Sequence, residues 1–426
     1  MAHAAPEQPF ALSAAEQLPP QDNRGAFTRN MTLPVHRWFR YSAGFSAAWA
    51  ETLIQRAQRG GAIAVLDPFV GSGTTLLAAH AQGANAIGFE THPLVRRVAE
   101  AKLAWSCDAD ELERRARVVL DRAVPRVWVD PPALLAKIYP PAALATLLGL
   151  RHTIEELREG DGTDDLLWLA LLAILRPCSP VGTAQWQYVL PKKSKAKAAE
   201  PIAAFSTQVR VMAQDIREMP SSNADIKILP SDARVATGVD ANSIDLVLTS
   251  PPYPNNYDYA DATRIEMTFL GEIERWADLQ ATVRTHLVRS CSQHMVGYCA
   301  ADALEAPEVE PIRDELVAVY EQLVEERENH GGRKAYHSMV AAYFHDLART
   351  WVSLRRVCRP GSVAHFVVGD SAPYAVHIPV ERWLGDLALG AGFASWEFEK
   401  LRDRNTKWKN RKHRVPLQEG ILTVYG

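Results

Sequence analysis

Two stretches of the chain place polar, reactive-capable groups at the mouths of apolar runs. In the first, Asp245-Leu246-Val247-Leu248-Thr249 leads into Ser250-Pro251-Pro252-Tyr253, followed by Pro254-Asn255-Asn256-Tyr257-Asp258-Tyr259. The apolar run has the composition of a short buried strand. The two prolines stop it, because they cannot donate to a ladder and they fix an extended turn. A hydroxyl, two carbonyls without competing N–H groups and an aromatic ring are thereby held at a strand end. Those groups suit a flat, polar substrate: acceptors for its amine and a ring for its face.

The second stretch would hold a co-substrate. Ala62–Leu66 reads as a buried strand and runs into Asp67-Pro68-Phe69-Val70-Gly71-Ser72-Gly73-Thr74-Thr75. A helix over Leu76–Gln82 follows, ended by Gly83, then a strand over Ala86–Phe89 that stops at Glu90. Strand, glycine-rich turn, helix, strand, acid is half of a dinucleotide-type unit. Its glycines let backbone approach a ligand, and its distal acid, Glu90, can take two ribose hydroxyls.

The elements that must position these groups form an α/β alternation. The spacing predicts further strands over Ile226–Leu229, Val363–Val368, Ser395–Leu401 and Glu419–Tyr425. Ser46 is expected to cap a helix over Ala47–Arg59. Long amphipathic helices are expected over Leu94–Trp105, Asp110–Val124, Ala203–Met219 and Ser338–Arg356, an apolar one over Asp164–Leu175, and others over Arg264–Leu270, Trp276–Leu287, Glu308–Glu328 and Pro379–Leu389. The fold class is therefore an open Rossmann-like α/β sheet of about seven strands. The last two strands form an antiparallel edge, and helical segments are inserted. Six divisions follow: a loose, flexible arm (1–30), a cofactor-binding part (31–105), a helical insert (106–220), a catalytic-motif part (221–265), a second helical insert (266–337) and a C-terminal part of the catalytic domain (338–426).

Composition sets bounds. The chain has 426 residues and a net charge of −3, so any nucleic-acid contact needs locally concentrated basic groups. Its five cysteines are scattered without a CxxC, which argues for reduced thiols in a cytoplasmic protein and against a zinc site or other metal centre. No apolar run approaches the roughly 20 residues of a membrane span.

The two motifs together resemble those of the amino-methylating DNA methyltransferases. Asp67–Thr75 is similar to that family's DPFxGSGTT cofactor motif, and Ser250-Pro251-Pro252-Tyr253 to its catalytic motif in the S-P-P-Y form. The resemblance covers roughly residues 30–105 and 225–426, with the cofactor motif first. It implies S-adenosylmethionine as cofactor, held by Asp67, Pro68, Phe69, Gly71, Ser72, Gly73, Thr74, Thr75 and Glu90. Asp232 would meet the adenine amine, and the Arg40–Phe45 segment, Tyr41 included, the methionine end. Ser250, Pro251, Pro252 and Tyr253 would act on an exocyclic amine of a flipped-out base, by direct transfer without a covalent intermediate. Serine in the first motif position favours cytosine N4 over adenine N6. An RNA amine or a silent nucleic-acid-binding subunit are the other readings. Cys178, after Pro177, could be mistaken for a carbon-5 nucleophile, but it follows an apolar helix in the insert and reads as structural.

Double-stranded DNA is the expected partner, and a cognate restriction endonuclease a second. Arg404, Lys407, Trp408, Lys409, Arg411, Lys412 and Arg414 are candidate phosphate contacts, with Lys192, Lys193, Lys195 and Lys197 as a smaller basic group. Base reading would fall to the helical inserts. Asn255–Tyr259 either shape the base pocket or cap the next helix.

Overall fold

A computed structural model describes residues 24–41, 44–182, 197–220, 222–404 and 415–426. In chain order the elements are α1 (Ala47–Ala57), β1 (Ala64–Asp67), α2 (Thr74–Ala81), β2 (Asn85–Phe89), α3 (Pro93–Leu103), α4 (Ala109–Arg122), α5 (Ala133–Ile138), α6 (Pro141–Glu156), α7 (Gly162–Cys178) and α8 (Pro201–Glu218). Then come β3 (Ile226–Leu229), β4 (Ile244–Thr249), α9 (Arg264–Leu270), α10 (Leu279–Thr282), α11 (Ala300–Glu305), α12 (Arg313–Asn329) and α13 (Tyr336–Val357). β5 (Cys358–Gly369), α14 (Val380–Gly390), β6 (Ser395–Arg404) and β7 (Leu417–Tyr425) complete the chain.

The strands form one sheet in the order β3-β2-β1-β4-β5-β7-β6. β3, β2, β1, β4 and β5 are parallel, and β7 runs antiparallel between β5 and β6. The path leaves β1 toward β2 on one side and β4 lies on the other, so the crevice beyond β1 and β4 is the switch point of the sheet. Parallel strands covered on both faces should be apolar throughout, and β4 obeys: Ile244, Leu246, Val247 and Leu248 are buried. Its one acid, Asp245, is used at the flank, accepting from the Ala64 amide at 2.8 Å and pairing with Arg359 at 2.5 Å.

One face of the sheet packs on α1 and α2 through Trp49, Leu53, Leu76 and Val65. The other packs on α13 and α14 through Phe344, Trp351, Trp383 and Phe366. α4 to α8 build a third core around Leu147, Leu169, Leu172 and Phe205, shared with α3 and the Val35–Tyr41 segment. Buried Asp215 of α8 joins that segment to the insert, accepting from the Val35 amide at 3.0 Å, Arg37 Nε at 3.0 Å and Trp38 Nε1 at 2.8 Å. Arg176 of α7 pairs with buried Glu266 of α9 at 2.5 Å.

Three expectations need correction. Residues 24–30 are not a loose arm: buried Asn30 donates to the Phe45 carbonyl at 2.8 Å and accepts from the Ala47 amide at 3.0 Å, and Arg24 pairs with Glu399 at 3.0 Å. The helix expected over Trp276–Leu287 is broken into short turns. Asp278 bonds the Glu274 and Arg275 amides, and Arg284 leaves the helical path for a buried pair with Asp258 at 2.7 Å. The strand expected over Val363–Val368 is longer: β5 begins at Cys358, so Arg359-Pro360-Gly361 lies inside it. The β4–β5 register shifts there, between Ile244 and Leu246, and Gly361 takes φ 80°.

Candidate active site

β1 delivers Asp67 to the crevice and the chain turns sharply into α2. Gly71 and Gly73 take φ 53° and 95°, a region that suits glycine. Gly88 of β2 lies beneath: a Cβ there would stand 2.2 Å from Val70 Cγ2, so the turn can settle onto the sheet only over a glycine. Glu90, just past β2, braces the turn from the side. Its carboxylate accepts from the Gly71 amide at 2.9 Å and the His92 amide at 2.8 Å. Burial pushes its pKa up to about 7, against the pull of those amides.

Asp67 ties the two motifs together. It is 1% exposed and accepts from Thr249 Oγ1 at 2.6 Å and from the Phe69 amide at 3.0 Å. Burial raises its pKa to about 6 even with the Thr249 bond. Thr75 Oγ1 donates to the Leu248 carbonyl at 2.8 Å, a second link from the turn to β4.

Beyond Thr249 the chain enters the Ser250–Tyr253 turn. Ser250 Oγ donates to the Val367 carbonyl of β5 at 3.2 Å. With its proton engaged, the hydroxyl has lone pairs left to accept with. Tyr253 has the Arg404 guanidinium 5.0 Å from its ring centroid, and Arg404 Nη1 donates to the Asp370 carbonyl at 2.7 Å. Ser371 Oγ holds the Pro254 carbonyl at 2.5 Å. The segment Asn255–Tyr259 divides between the cavity and the next helix. Asn255, Tyr257 and Tyr259 line the cavity, the two tyrosine rings edge to face at 4.7 Å. Asp258 caps, accepting from the Ala260 and Asp261 amides at 3.1 and 3.3 Å.

A cavity of about 580 Å³ spans both motifs, within the range of small-molecule sites. Of the residues expected from sequence, Tyr41, Asp67, Pro68, Phe69, Gly71, Ser72, Thr74, Glu90, Asp232, Ser250, Pro251, Pro252, Tyr253 and Arg404 line it. Gly73 and Thr75 support the turn from behind, at φ 95° and through Leu248. Asp232 follows β3; burial alone would raise its pKa, but Arg234, bonded at 2.5 Å, holds it below the ordinary carboxylate value. Arg404 departs from its expected role: its guanidinium backs the Tyr253 ring and the Asp370 carbonyl, which turns it inward from a phosphate. Lys192, Lys193, Lys195, Lys407, Trp408, Lys409, Arg411, Lys412 and Arg414 lie outside the described residues.

Sequence reasoning did not anticipate Gly25, Phe27 and Thr28, nor His286–Val288, nor Arg402 and Glu419, all of which line the cavity. A lone phenylalanine in a polar stretch was the only hint of the first group. Arg402 and Glu419, paired at 2.6 Å, come together only because β6 and β7 are neighbours. The cavity is rich in carboxylates: Asp67, Glu90, Asp232 and Glu419 border it. That charge suits a cationic ligand with hydroxyls to bind.

Residues 16–101, which include the whole cradle from Asp67 to Glu90, match the family described as "DNA methylase". The Type II methyltransferase M.BsoBI of Geobacillus stearothermophilus is 26% identical over 443 aligned residues, covering 93% of this chain and 86% of that protein. The chain is thus similar to DNA methylases over its cofactor cradle and to a Type II methyltransferase over most of its length. The Type II methyltransferase M.AvaI of Nostoc sp. is 25% identical across 86% of this chain and 81% of its own length. A solved rRNA methyltransferase, aviRa from Streptomyces viridochromogenes, aligns at 14% identity over 60% of this chain and 79% of its own, with a TM-score of only 0.23. The likeness to DNA methylases and to M.BsoBI implies S-adenosylmethionine as methyl donor, and the residues present fit it: a glycine turn, an acid for ribose and a carboxylate-lined cavity for a sulfonium. Cys178 is 1% exposed within the insert core and does not line the cavity, in keeping with a structural cysteine. No helix among the described residues is long and apolar enough to cross a membrane.

Proposed function

We propose that this methyltransferase modifies the exocyclic N4 amine of cytosine in double-stranded DNA. The observation that carries the reading is the Ser250 hydroxyl, tethered to the Val367 carbonyl and open to the cavity. S-adenosylmethionine supplies an electrophilic methyl group, so the protein's task is to make the amine nucleophilic and to align it. The lone pair of such an amine is delocalised into the base. Ser250 Oγ and the Pro251 carbonyl accept its two N–H groups, draw the nitrogen toward tetrahedral geometry and localise that pair. Tyr253, stiffened by Arg404, stacks on the base and sets its plane. The amine lies inside the duplex, so the base is flipped into the cavity. Transfer is direct, and the proton leaves the methylated nitrogen for solvent.

DNA as the substrate draws on the matched family and on M.BsoBI and M.AvaI, both named Type II methyltransferases. The same likeness suggests a restriction endonuclease of matching site as the cellular partner. Target reading is assigned to the inserts at 106–220 and 266–337, and the basic segment after Arg404 to phosphate contacts. On this reading Asp67 and Tyr41 serve the methionine end, Glu90 the ribose and Asp232 the adenine amine. Incubation of protein and donor with plasmid DNA, followed by mass separation of nucleosides, should yield N4-methylcytosine. N6-methyladenine in its place would overturn the base assignment, and methylated RNA alone would overturn the DNA assignment.

A further inference from the structure

α3 ends with a lysine turned inward. Lys102 is 1% exposed, and its Nζ donates to the carbonyls of His36 and Phe39 at 3.3 and 3.4 Å. These are long contacts to neutral groups, and among the described residues no carboxylate pairs with it. Burial alone lowers its pKa, to about 7. A buried ammonium is costly unless an opposite charge meets it. His36 beside it offers none: burial first, and the Lys102 charge second, keep that imidazole neutral down to about pH 3.

The surroundings of Lys102 show where such a charge could come from. It borders a recess of about 10 Å³, room for about one water. Phe27, Tyr41, Ser72 and Thr74 wall both this recess and the main cavity. The arginines on the main cavity are engaged: Arg402 with Glu419 at 2.6 Å, Arg404 with the Asp370 carbonyl at 2.7 Å. Asp67, Glu90 and Asp232 would repel an anion. An anionic group on a ligand in the cavity is therefore driven toward the Ser72–Thr74 turn, where Lys102 waits behind it.

We propose that Lys102 is the cation that balances the amino-acid carboxylate of S-adenosylmethionine and so anchors the methionine end of the donor. The inference rests on S-adenosylmethionine being that donor. Lys102 belongs to neither sequence motif and lies near the end of α3, with α2 and β2 between it and the glycine turn.

Calorimetric titration separates this role from a merely structural one. The probes are S-adenosylmethionine and methylthioadenosine, which keeps the adenosine and sulfur but lacks the amino-acid part. Lys102→Met should weaken S-adenosylmethionine by about 10- to 100-fold, the range for a hydrogen bond to a charged group, and leave methylthioadenosine within about twofold. Equal losses for both ligands would mark Lys102 as a clamp on His36 and Phe39, and would overturn the proposal. The wild type supplies a test that needs no variant. The carboxamide of S-adenosylhomocysteine should bind at least about tenfold more weakly than S-adenosylhomocysteine itself, and equal affinities would likewise overturn it. A wild type that binds methylthioadenosine but shows no such discrimination refutes the anchor alone. One that binds none of these ligands refutes the cofactor and the anchor together.

Discussion

At the scale of single residues, the proposed reaction separates holding the donor from activating the acceptor. Ser250→Ala removes one acceptor for the amine but touches no part of the glycine turn. It should lower kcat by about 10²- to 10³-fold, as loss of one preorganised polar partner does, with donor affinity nearly unchanged; single-turnover methylation alongside calorimetry measures both. Tyr253→Ala should instead weaken the DNA complex by roughly 1–3 kcal/mol, the usual worth of one base stacked on a ring. Glu90 makes a pH prediction. Its folded pKa, near 7, stands above the unfolded carboxylate value. Between those two values the folded state holds a proton that the unfolded chain has lost, so stability falls as pH rises through that window and levels off above it. Glu90→Gln lacks this titration. The variant's melting temperature should therefore gain on the wild type between pH 5 and pH 8 without ligand, while its donor affinity drops. A pH-independent difference would refute the assignment.

At the scale of elements, the cradle depends on what lies under it. Gly88→Ala would press a methyl group against Val70, with Leu76 Cδ1 also at 3.0 Å. The turn must lift, and overpacking of this kind costs about 1–3 kcal/mol; donor affinity should fall with it, as equilibrium titration would show. Gly88 also illustrates what the sequence could and could not tell. The turn, its helix and the distal acid were legible because each needs a particular residue type at a fixed spacing. The catalytic strand was legible because two prolines end an apolar run. The contribution of Arg402, Glu419 and Phe27 was not, since nothing local requires them; they reach the cavity through strand neighbours and an N-terminal segment fixed by Asn30. The broken helix at Trp276–Leu287 failed for a related reason. Its apolar spacing is helical, but Arg284 has a stronger destination in Asp258, buried beside it at 1% exposure, and that partner lies outside any local window.

At the scale of the whole molecule, the helical insert is fastened to the catalytic part at a few buried polar points. Asp215 is the densest of them, with three partners on the Val35–Trp38 segment. Asp215→Ala strips the counter-charge from Arg37 and leaves the Trp38 indole N–H unbonded. It should cost about 3–5 kcal/mol, as loss of one member of a buried pair does. Thermal unfolding would register the cost, and limited proteolysis should show the insert cut first. A variant as stable as the wild type would mean that the apolar contacts of α3 and α7 hold the insert alone.

The bond between Thr249 and Asp67 also has a temporal meaning. The two residues are 182 positions apart, and β1 pairs with β4 across the same gap. A ribosome adds roughly 5–20 residues per second, so the donor cradle waits about ten seconds or more for the strand that completes it. Throughout that wait one edge of β1 is an open, apolar template, and Asp67 is a carboxylate without its hydroxyl. The insert helices α4 to α8 all precede β4 in the chain and can meanwhile collapse on one another. Methyl-transfer competence arrives later still, once β5 and β6 bring Val367 to Ser250 and Arg404 to Tyr253.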